Sequence, residues 1–566
     1  MPELDQDLAG SRFVRPVRSV LPDLLIFAGL MAVAAAVRLP YLQLVPVISD
    51  EAFEVLAAQG MVGGKFIWFG PFDPTAGPLV TWLLALAVWL FGSSAYLART
   101  VTLVSGVLTV GLVYLLGRSL AKAAATNLAS GAGTTPGEAL IDTRVFHGRV
   151  AGLTAGLLLA LSPVHTIVNS HIAWSNSATP LFATATFLAL HAAVRRGDGR
   201  LLVLGGFLYG LALQTHISML VVIPGLLIWF LARRDAIRGN RAWLRRPWPY
   251  LAVGAAALGY GNMIVYNVVS RGGLLADAQL HTYAWEPNPT LISYLDRLAA
   301  LLANLGQTIG GQVPRVADPL AGLAVGLLVA WLLAALVYAA WRGEWLPALV
   351  LLSTALIMPY FNKRYDGLLS QRYTAFLLPL CFATMGALAG EVAGLWRRAR
   401  RSAGLAAGEG IVTRRAWSKQ AAAVLAVGLM LIAAIYPIRN TLAYYSAETR
   451  AGRDNRLTLA FTEYLKTSLP PGAALYISSG LRDKADGPGY RFLRAIYYYL
   501  TMERVEHRIL ELPDIAAQLE AAPGQAAWLV LTADDYQTLG QRFKLEPVVG
   551  GPAVPTGGYV AGYNLP

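Results

Sequence analysis

Apolar runs long enough to cross a lipid bilayer recur along most of this chain of 566 residues. A helix needs about 20 mostly apolar residues to cross ~30 Å of hydrocarbon. On this rule we predict an α-helical polytopic membrane protein with about 11 transmembrane helices. The predicted spans are residues 21–38, 98–117, 150–168, 178–194, 201–215, 217–231, 249–268, 320–341, 345–361, 373–396 and 420–438.

Composition agrees with a membrane location and excludes several other classes of protein. Of the residues, 56% are hydrophobic and 14% are charged, whereas soluble domains carry roughly a quarter charged residues. The net charge of +13 comes from short basic clusters between the apolar runs, so we expect no nucleic-acid partner. The single cysteine, Cys381, lies in an apolar run, which excludes an intrachain disulfide and a cysteine-rich metal or redox motif.

The basic clusters predict the orientation in the membrane. Arg12, Arg15 and Arg18 precede the first span, which we interpret as an uncleaved anchor with its amino terminus in the cytoplasm. The apolar segment 77–91 is short. If it lies along the membrane surface, the later Arg and Lys clusters fall in the cytoplasm; if it spans, they fall outside. The positive-inside rule therefore favours an interfacial or re-entrant helix.

This topology divides the chain into two predicted domains. Residues 1–440 form a multi-spanning domain in a bacterial-type cytoplasmic membrane, and the first outer loop, 39–97, holds interfacial helices. Residues 441–566 have mixed charge and short strand-like runs, such as Ala474 to Ile477, between helical stretches. They predict a small α/β domain on the outer side of the membrane.

Two adjacent carboxylates, Asp50 and Glu51, are the sharpest candidates for chemistry. They lie shortly after the first span, in the first outer loop. In sugar transfer a carboxylate takes the proton of the attacking hydroxyl, and the oxocarbenium-like transition state favours nearby negative charge. We therefore predict Asp50 as the catalytic base, with Glu51 beside it in the catalytic group. The alternative is that Asp50 caps the helix that follows.

Several short motifs appear in the order found in one group of membrane enzymes. They are Val37-Arg38-Leu39-Pro40, Asp50-Glu51-Ala52, Gly77-Pro78-Leu79, Leu116-Gly117-Arg118 and Gln371-Arg372-Tyr373. Over roughly the first 440 residues the chain resembles the GT-C glycosyltransferases of family 39, the protein O-mannosyltransferases, and the lipid A aminoarabinose transferases. The resemblance implies a polyprenyl-phosphate sugar donor and a catalytic aspartate at position 50.

Two positions depart from that family pattern. A basic residue or histidine often precedes the Pro-Pro-Leu element, but Ala76 and Gly77 stand here before Pro78. Pro78 is carried over as a substrate-binding position, whereas the basic phosphate contact is not. Asn176 stands where many members have Arg and Asp. Its amide can hydrogen-bond a sugar hydroxyl but cannot act as a base.

Cationic side chains are expected around the leaving group. A polyprenyl phosphate departs with negative charge, and arginine can bind phosphate oxygens with two parallel donors. We predict Arg372 as the main phosphate ligand, with Tyr373 beside it and Lys363 and Arg364 from the same outer loop. For Lys363 and Arg364 the alternative is interfacial anchoring by snorkelling side chains.

His216 and His171 lie at predicted outer turns and are further candidates for substrate binding. The alternative is an ordinary interfacial histidine, which costs little at the end of a span. Trp174 fits either sugar stacking or the aromatic belt, and the belt is the more frequent use. No closely spaced ligand motif supports a divalent metal, so we predict no cofactor.

These observations favour a membrane glycosyltransferase that moves a sugar from a polyprenyl-phosphate carrier to an acceptor hydroxyl on a lipid, a cell-surface glycan or a protein, with inversion. One alternative is a transporter or flippase of lipid-linked saccharides. Such proteins tend to carry ionisable residues at mid-membrane, whereas the predicted spans of this chain are nearly free of charge. Another is a non-catalytic scaffold that presents the carboxyl-terminal domain. Substitution of Asp50 should abolish the function of a glycosyltransferase but should be harmless in a non-catalytic scaffold.

Overall fold

A computed structural model describes most of the chain. The described residues are 7–45, 47–69, 75–131, 138–232, 245–273, 289–313, 319–365, 369–407, 435–450, 455–481, 488–552, 554 and 558–564. The helices before residue 455 are α1 (Asp7–Arg38), α2 (Ser49–Val62), α3 (Leu79–Phe91), α4 (Leu97–Gly131), α5 (Glu138–Ala160), α6 (Pro163–Ser170), α7 (Ser175–Arg196), α8 (Gly199–Thr215), α9 (Ile223–Ala232), α10 (Trp248–Gly259), α11 (Gly261–Val269), α12 (Leu291–Ile309), α13 (Ala321–Trp341), α14 (Leu346–Phe361), α15 (Arg372–Ala375), α16 (Leu378–Ala407) and α17 (435–450). Short 3-10 helices occur at Leu39–Tyr41, Ile217–Val222 and Leu369–Gln371.

Five of the described helices are long and apolar enough to cross a membrane. They are Leu21–Tyr41, Leu97–Lys122, Ser175–Arg196, Ala321–Trp341 and Leu378–Arg397. Counting each of two bent helix pairs as one span raises the number to seven. The chain is therefore a multi-pass membrane protein. Two further predicted spans fall on shorter apolar helices. Residues 420–434 of the predicted span 420–438 lie outside the described residues, so the count of eleven stays a prediction.

The predicted spans 150–168 and 249–268 differ from the structure because each is broken. α5 and α6 meet at 61°, and α10 and α11 at 69°. In the first pair Pro163 follows the break, and a proline has no N–H with which to continue the helix. The last carbonyls of α5 therefore lack helical partners. The buried guanidinium of Arg38 donates a hydrogen bond to the carbonyl oxygen of Ala160 at 2.9 Å.

Glycines let the helices of the bundle pack closely. A Cβ atom on Gly386 would collide with the carbonyl oxygen of Ala151, and one on Gly206 would collide with that of Ala252. α16 thus lies directly against α5, and α10 against α8. In lipid, close backbone contact of this kind provides much of the attraction between helices, since the hydrophobic effect does not act between them.

The bundle has two chemically different ends. Arg99, near the start of α4, contacts the loop 39–97, the predicted first outer loop, through the carbonyl of Leu42. Arg118 lies about 28 Å further along the same helix, at a rise of 1.5 Å per residue. There, Arg118 and Arg149 both contact Asp23 at 2.9 Å. Basic side chains therefore gather at the end of α4 opposite the first outer loop.

The carboxyl-terminal residues form a five-stranded mixed sheet with helices on both faces. Its elements are α18 (Arg456–Ser468), β1 (Ala474–Ser478), α19 (Pro488–Met502), β2 (Arg508–Leu510), α20 (Leu512–Ala521), β3 (Ala527–Leu531), α21 (Ala533–Gly540), β4 (Leu545–Pro547) and β5 (Tyr559–Tyr563). The strand order is β2-β1-β3-β5-β4, with β1 parallel to β2 and β3, and β5 antiparallel to β3 and β4. Trp528 and Val530 pack against α18 and α19, and Leu529 and Leu531 against α20 and α21. The predicted carboxyl-terminal sheet is thus present.

The carboxyl-terminal unit is hydrogen-bonded to the predicted first outer loop. The side-chain amide of Asn455 donates to the carbonyl of Val45 at 2.5 Å, and its oxygen accepts from the N–H of Val47 at 3.3 Å. The Tyr499 hydroxyl donates to the side-chain oxygen of Gln43 at 3.0 Å. We call these contacts the loop clasp. They hold the segment of the loop that leads directly into α2.

Candidate active site

Asp50 lies in the first turn of α2, with its carboxylate at the protein surface. The helix is preceded by Ile48 as its N-cap residue, so Asp50 stands inside the first turn rather than at the capping position. Its Oδ2 lies 3.3 Å from Nη1 of Arg372. The Asp50 side chain is 50% exposed, which leaves it within reach of a substrate.

Arg372 is held in a fixed orientation by aromatic rings. It begins α15, and its guanidinium carbon lies 4.8 Å from the ring centre of Trp174 and 5.0 Å from that of Tyr373. Its Nη2 also donates to the Tyr373 hydroxyl at 3.1 Å. Guanidinium planes stack well on aromatic faces. Trp174 is buried, so its role here is to support Arg372 rather than to join an aromatic belt.

Glu51 has surroundings opposite to those of its neighbour, and they argue against the predicted catalytic role. Both its oxygens accept from Arg99, Oε1 from Nε at 2.7 Å and Oε2 from Nη2 at 2.8 Å. Oε1 also accepts from the N–H of Ala173 at 3.2 Å. Both side chains of the pair are fully buried. Glu51 therefore fixes α2 to α4 and to the segment before α7.

Glu54 is a structural carboxylate that the sequence analysis did not single out. It is buried, and it accepts from the N–H of Ser175 at 2.7 Å and from the Ser175 hydroxyl at 2.5 Å. The Thr81 hydroxyl of α3 donates to it at 3.3 Å. Its spacing from Glu51 places both acids on one side of α2, and this spacing was the available signal. Glu54 joins α2, α3 and the start of α7.

Main-chain hydrogen bonds bring the turn at His216 to the segment that enters α3. The N–H of Gly77 donates to the carbonyl of Gln214 at 2.7 Å, and the N–H of Ile217 donates to the carbonyl of Thr75 at 2.8 Å. A Cβ atom on Gly77 would lie 3.1 Å from the Gln214 side-chain oxygen, so a larger residue would crowd this contact. Pro78 follows as the N-cap residue of α3.

The His216 imidazole lies beside Tyr373, with ring centres 5.7 Å apart. Its Nδ1 accepts from the N–H of Ser218 at 3.1 Å. Burial, with a smaller contribution from the charge of Arg372, lowers the pKa of His216 to about 3. At neutral pH the ring is therefore uncharged and carries its proton on Nε2. It can donate a hydrogen bond but adds no positive charge.

His171 and Asn176 are placed differently from each other. His171 is fully buried; its Nδ1 lies 2.8 Å from the Tyr445 hydroxyl and its Nε2 lies 2.9 Å from the carbonyl oxygen of Arg38. These contacts join α17 to the end of α1, so the geometry gives His171 a structural role. Asn176 is partly buried at the start of α7, and its carbonyl accepts from the side chain of Asn169 at 3.1 Å.

Lys363 and Arg364 are exposed on the connection that leads from α14 towards Arg372. The N–H of Arg364 donates to the side-chain oxygen of Asn362 at 3.1 Å, which shapes this turn. Their positive charges therefore lie on the approach to Arg372. Among the described residues no group of three His, Cys, Asp or Glu side chains is arranged to hold a metal ion.

One surface thus combines a reachable carboxylate, a stacked arginine, a tyrosine and a neutral imidazole. Its members are Asp50, Arg372, Tyr373 and His216, with Trp174 beneath. We call this surface the candidate active site. A carboxylate next to a phosphate-binding cation matches the needs of a transfer in which a hydroxyl loses a proton and a phosphate leaves.

Comparison with protein families indicates the class of enzyme. Residues 140–262, from within α5 to within α11, match the family model described as dolichyl-phosphate-mannose-protein mannosyltransferase. This match, together with the helical fold, indicates a glycosyltransferase of the membrane. Comparison with curated protein sequences gave no significant match.

Solved structures extend the likeness over the whole chain. The crystal structure of ArnT from Cupriavidus metallidurans bound to undecaprenyl phosphate is 15% identical, with a TM-score of 0.53 over 96% of this chain and 98% of that chain. The apo structure of the same protein is 16% identical, with a TM-score of 0.52 over 96% of this chain and 97% of that one. At this identity the likeness establishes the fold. The resemblance to GT-C glycosyltransferases is thereby confirmed.

Proposed function

We propose that this protein transfers one sugar from a polyprenyl-phosphate carrier to an acceptor hydroxyl on the outer face of a bacterial-type cytoplasmic membrane. The observation that carries the proposal is the contact between Asp50 and Arg372 at 3.3 Å on an exposed surface of a GT-C fold. The similar structure of ArnT bound to undecaprenyl phosphate supports a donor of this class. The acceptor is a hydroxyl of a lipid, a cell-surface glycan or a protein.

Asp50 acts as the general base in this proposal. The acceptor hydroxyl gives its proton to the carboxylate while its oxygen attacks the anomeric carbon. The bond from that carbon to the phosphate oxygen breaks, and its electron pair leaves with the phosphate. The negative charge of Asp50 also favours the oxocarbenium-like transition state. The exposed carboxylate suits this role, whereas the enclosed carboxylate of Glu51 does not.

Arg372 binds the departing phosphate. Inversion requires the attacking and leaving oxygens to lie on opposite sides of the anomeric carbon, so productive binding exchanges the contact with Asp50 for contacts with phosphate oxygens. The rings of Trp174 and Tyr373 keep the guanidinium plane oriented during that exchange. Charge-assisted bonds from arginine to phosphate are strong because two donors act in parallel. Lys363 and Arg364 add positive charge on the approach.

Neutral hydrogen-bonding groups position the sugar. His216 presents an uncharged ring next to Tyr373, and it donates through Nε2 to a hydroxyl or phosphate oxygen. Asn176 and Pro78 lie on segments that Glu54 draws together, since α2, α3 and the start of α7 meet at that carboxylate. We propose that they border the sugar rather than take part in proton transfer.

The distribution of charge supports the proposed orientation. The basic contacts around Asp23 lie about 28 Å from the Arg99 end of α4, by the helical rise. Positive residues favour the cytoplasmic side, so the candidate active site falls on the outer side. The carboxyl-terminal unit contacts the loop that carries Asp50, and it therefore lies on the outer side as well.

The test uses the full chain purified in detergent and a panel of polyprenyl-phosphate hexoses and pentoses. The readout is binding of donor and release of free carrier phosphate with acceptor extracts, for wild type and for Asp50→Asn. Asp534→Asn is the matched control, because Asp534 is also an exposed acid in the first turn of a short helix. We expect wild type and Asp534→Asn to turn over one donor, and Asp50→Asn to bind that donor without turnover.

Two results would contradict the proposal. If wild type binds donors but never releases carrier phosphate with any extract, transport is the better explanation, and lipid flipping in vesicles becomes the measurement. If Asp50→Asn turns over as fast as the Asp534→Asn control, the enzyme is real but its base lies elsewhere.

A further inference from the structure

A second basic surface lies at the end of the bundle away from the candidate active site. A cavity of about 590 Å³ opens there between α4, α7 and α8, within the usual range for small-molecule sites. Four cations line it, Arg118 and Lys122 from α4 and Arg195 and Arg196 from α7. No acidic side chain among the described residues lines it. We call it the basic groove.

In the described part of the chain, the carboxylate of Asp23 lies close to this group of cations. Arg118 contacts Asp23 at 2.9 Å, but Arg149 contacts the same carboxylate at 2.9 Å, so one acid serves two arginines. The Nε–H of Arg118 is buried without a hydrogen-bond partner in the described part of the chain. The charges of Arg118 and Arg195 repel that of Lys122, whereas the charge of Asp23 attracts it. A bound anion would relieve this repulsion and satisfy the buried donor.

The walls of the basic groove change from polar to apolar along its length. On α4 the lining runs from Lys122 and Arg118 to Leu115 and Leu112, all on one face of the helix. The cations therefore stand at the membrane interface and the leucines nearer the bilayer centre. The groove thus has a basic end and an apolar end.

α7 repeats this gradient, and α8 lines the basic groove with leucines alone. On α7 the lining runs from Arg195 back to Leu188 and Ala185, and on α8, which runs the other way, it runs from Leu201 to Leu208. Leu204 of α8 is 46% exposed, so the apolar part opens towards lipid. A molecule that matches this surface has an anionic head and a hydrocarbon tail.

We propose that the basic groove binds an anionic phospholipid of the cytoplasmic leaflet, with its phosphate at the four cations and one acyl chain along the leucines. Basic pockets between transmembrane helices on the cytoplasmic side bind such headgroups through their charge. The apolar lining favours an intact lipid over free phosphate, because each buried methylene adds favourable free energy. This site is distinct from the candidate active site and does not depend on its chemistry.

The test measures lipid retention on the delipidated full chain by native mass spectrometry. The probes are phosphatidylglycerol, phosphatidylcholine, undecaprenyl phosphate and inorganic phosphate. The test variant is Lys122→Gln with Arg196→Gln, and the matched control is Arg245→Gln with Arg246→Gln. The control removes two charges from an exposed arginine pair just before α10, outside the basic groove. Leu204→Trp fills the apolar part without changing charge.

We expect wild type and the control to retain one phosphatidylglycerol, not displaced by inorganic phosphate, and to retain phosphatidylcholine weakly. The test variant should bind phosphatidylglycerol roughly tenfold more weakly or worse, since each basic residue near the surface contributes to anionic lipid binding. Leu204→Trp should also weaken retention. Because Leu204 is partly exposed, this variant tests the groove even if the charge variant fails to fold.

Three outcomes would overturn the proposal. Equal retention of phosphatidylglycerol by the test variant and the control would show that the four cations are not the binding site. Equal retention of phosphatidylcholine and phosphatidylglycerol would show that negative charge is not recognised. If the test variant loses undecaprenyl phosphate more than phosphatidylglycerol, the groove belongs to the polyprenyl carrier instead.

Discussion

Two carboxylate–arginine pairs begin at adjacent residues of α2, and they differ in almost every physical respect. The pair Asp50–Arg372 has one contact of 3.3 Å and side chains that are 50% and 22% exposed. The pair Glu51–Arg99 has two contacts of 2.7 and 2.8 Å and side chains that are fully buried. We call them the open pair and the closed pair.

The difference shows that two ion pairs of the same chemical type can have opposite surroundings within one helical turn, one enclosed by protein and one open to water. The closed pair is surrounded by further partners, since Arg99 also donates to the carbonyls of Leu42 and Val45. A buried pair of this kind cannot lose one member without leaving an uncompensated charge. The open pair can exchange partners because the Asp50 side chain is half exposed. We therefore assign a structural role to the closed pair and propose the open pair for the chemistry.

The largest expected effect is the loss of turnover when the carboxylate of the open pair, Asp50, is replaced by an amide. Asp50→Asn should lower turnover by roughly 10²–10⁴, the range for loss of a general base. The melting temperature should stay near that of wild type, because Asp50 is half exposed. Single-turnover kinetics and thermal unfolding in detergent, with Asp534→Asn beside it, measure both quantities. A strong loss of stability in Asp50→Asn would break the comparison.

The second prediction concerns the closed pair. Glu51→Gln should cost about 3–5 kcal/mol of stability, because it leaves the buried Arg99 charge without its carboxylate. The measurement is the melting temperature relative to wild type and to Asp50→Asn. Whatever variant protein remains folded should still release carrier phosphate. A folded, stable and inactive Glu51→Gln protein would return Glu51 to the catalytic group.

The third prediction tests the arginine of the open pair. Arg372→Lys keeps the charge but loses the fork of donors and the stacking on Trp174, so turnover should fall roughly 10- to 100-fold, since a charge-assisted hydrogen bond is worth ~1.5–3 kcal/mol. Arg364→Lys is the matched control and should change turnover less than about twofold, because that side chain is exposed. Equal losses in both variants would place the phosphate elsewhere on this connection.

The smallest expected effect is a dependence of stability on pH in the buried region around the closed pair. Burial, assisted by the charges of Arg38 and Arg99, lowers the pKa of His171 to about 3, whereas an unfolded histidine titrates near pH 6.5. Between these two pKa values, His171 is protonated in the unfolded chain and neutral in the folded protein. The stability that neutral His171 contributes is therefore present above pH 6.5 and is lost as the pH falls towards 3.

This loss should amount to about 1.4 kcal/mol per pH unit for one proton. His216 contributes with the same sign, so the slope must be compared between variants. Melting temperatures at pH 7.5, 6.5 and 5.5 should fall less steeply for His171→Gln than for wild type. An unchanged slope in the variant would mean that His171 is already protonated or is reached by water.

Much of the fold could be predicted from the sequence, because the bilayer imposes a length and an apolar composition that single residues report. The predicted span 320–341 and the helix Ala321–Trp341 differ by one residue at their start. The carboxyl-terminal strand at Ala474 could be predicted for a similar reason, since a short apolar run next to turn residues is a local feature. Pro163 also marked the break between α5 and α6 in the sequence. The apolar run there is long enough for one span, however, so its length alone could not distinguish one straight helix from two helices joined at a bend.

The roles within the candidate active site could be predicted only in part. Asp50 and Arg372 were both identified, but their contact joins positions 322 residues apart. Glu51 and Asp50 look alike in sequence, and only the position of Arg99 in α4 distinguishes the buried carboxylate from the exposed one. His171 lies at the turn between α6 and α7, and its predicted position on the outer side stays a prediction. Its burial depends in part on Tyr445 from α17.

The loop clasp has a consequence for biosynthesis. The segment that leads into α2 is held by Asn455 and Tyr499, which are synthesised about 400 residues after α2. The surroundings of Asp50 are therefore completed only after the carboxyl-terminal unit has folded. A nascent or truncated chain carries every residue of the candidate active site and still lacks the support for its first loop. On the function that we propose, a chain can therefore carry out transfer only after this unit has been made and has folded.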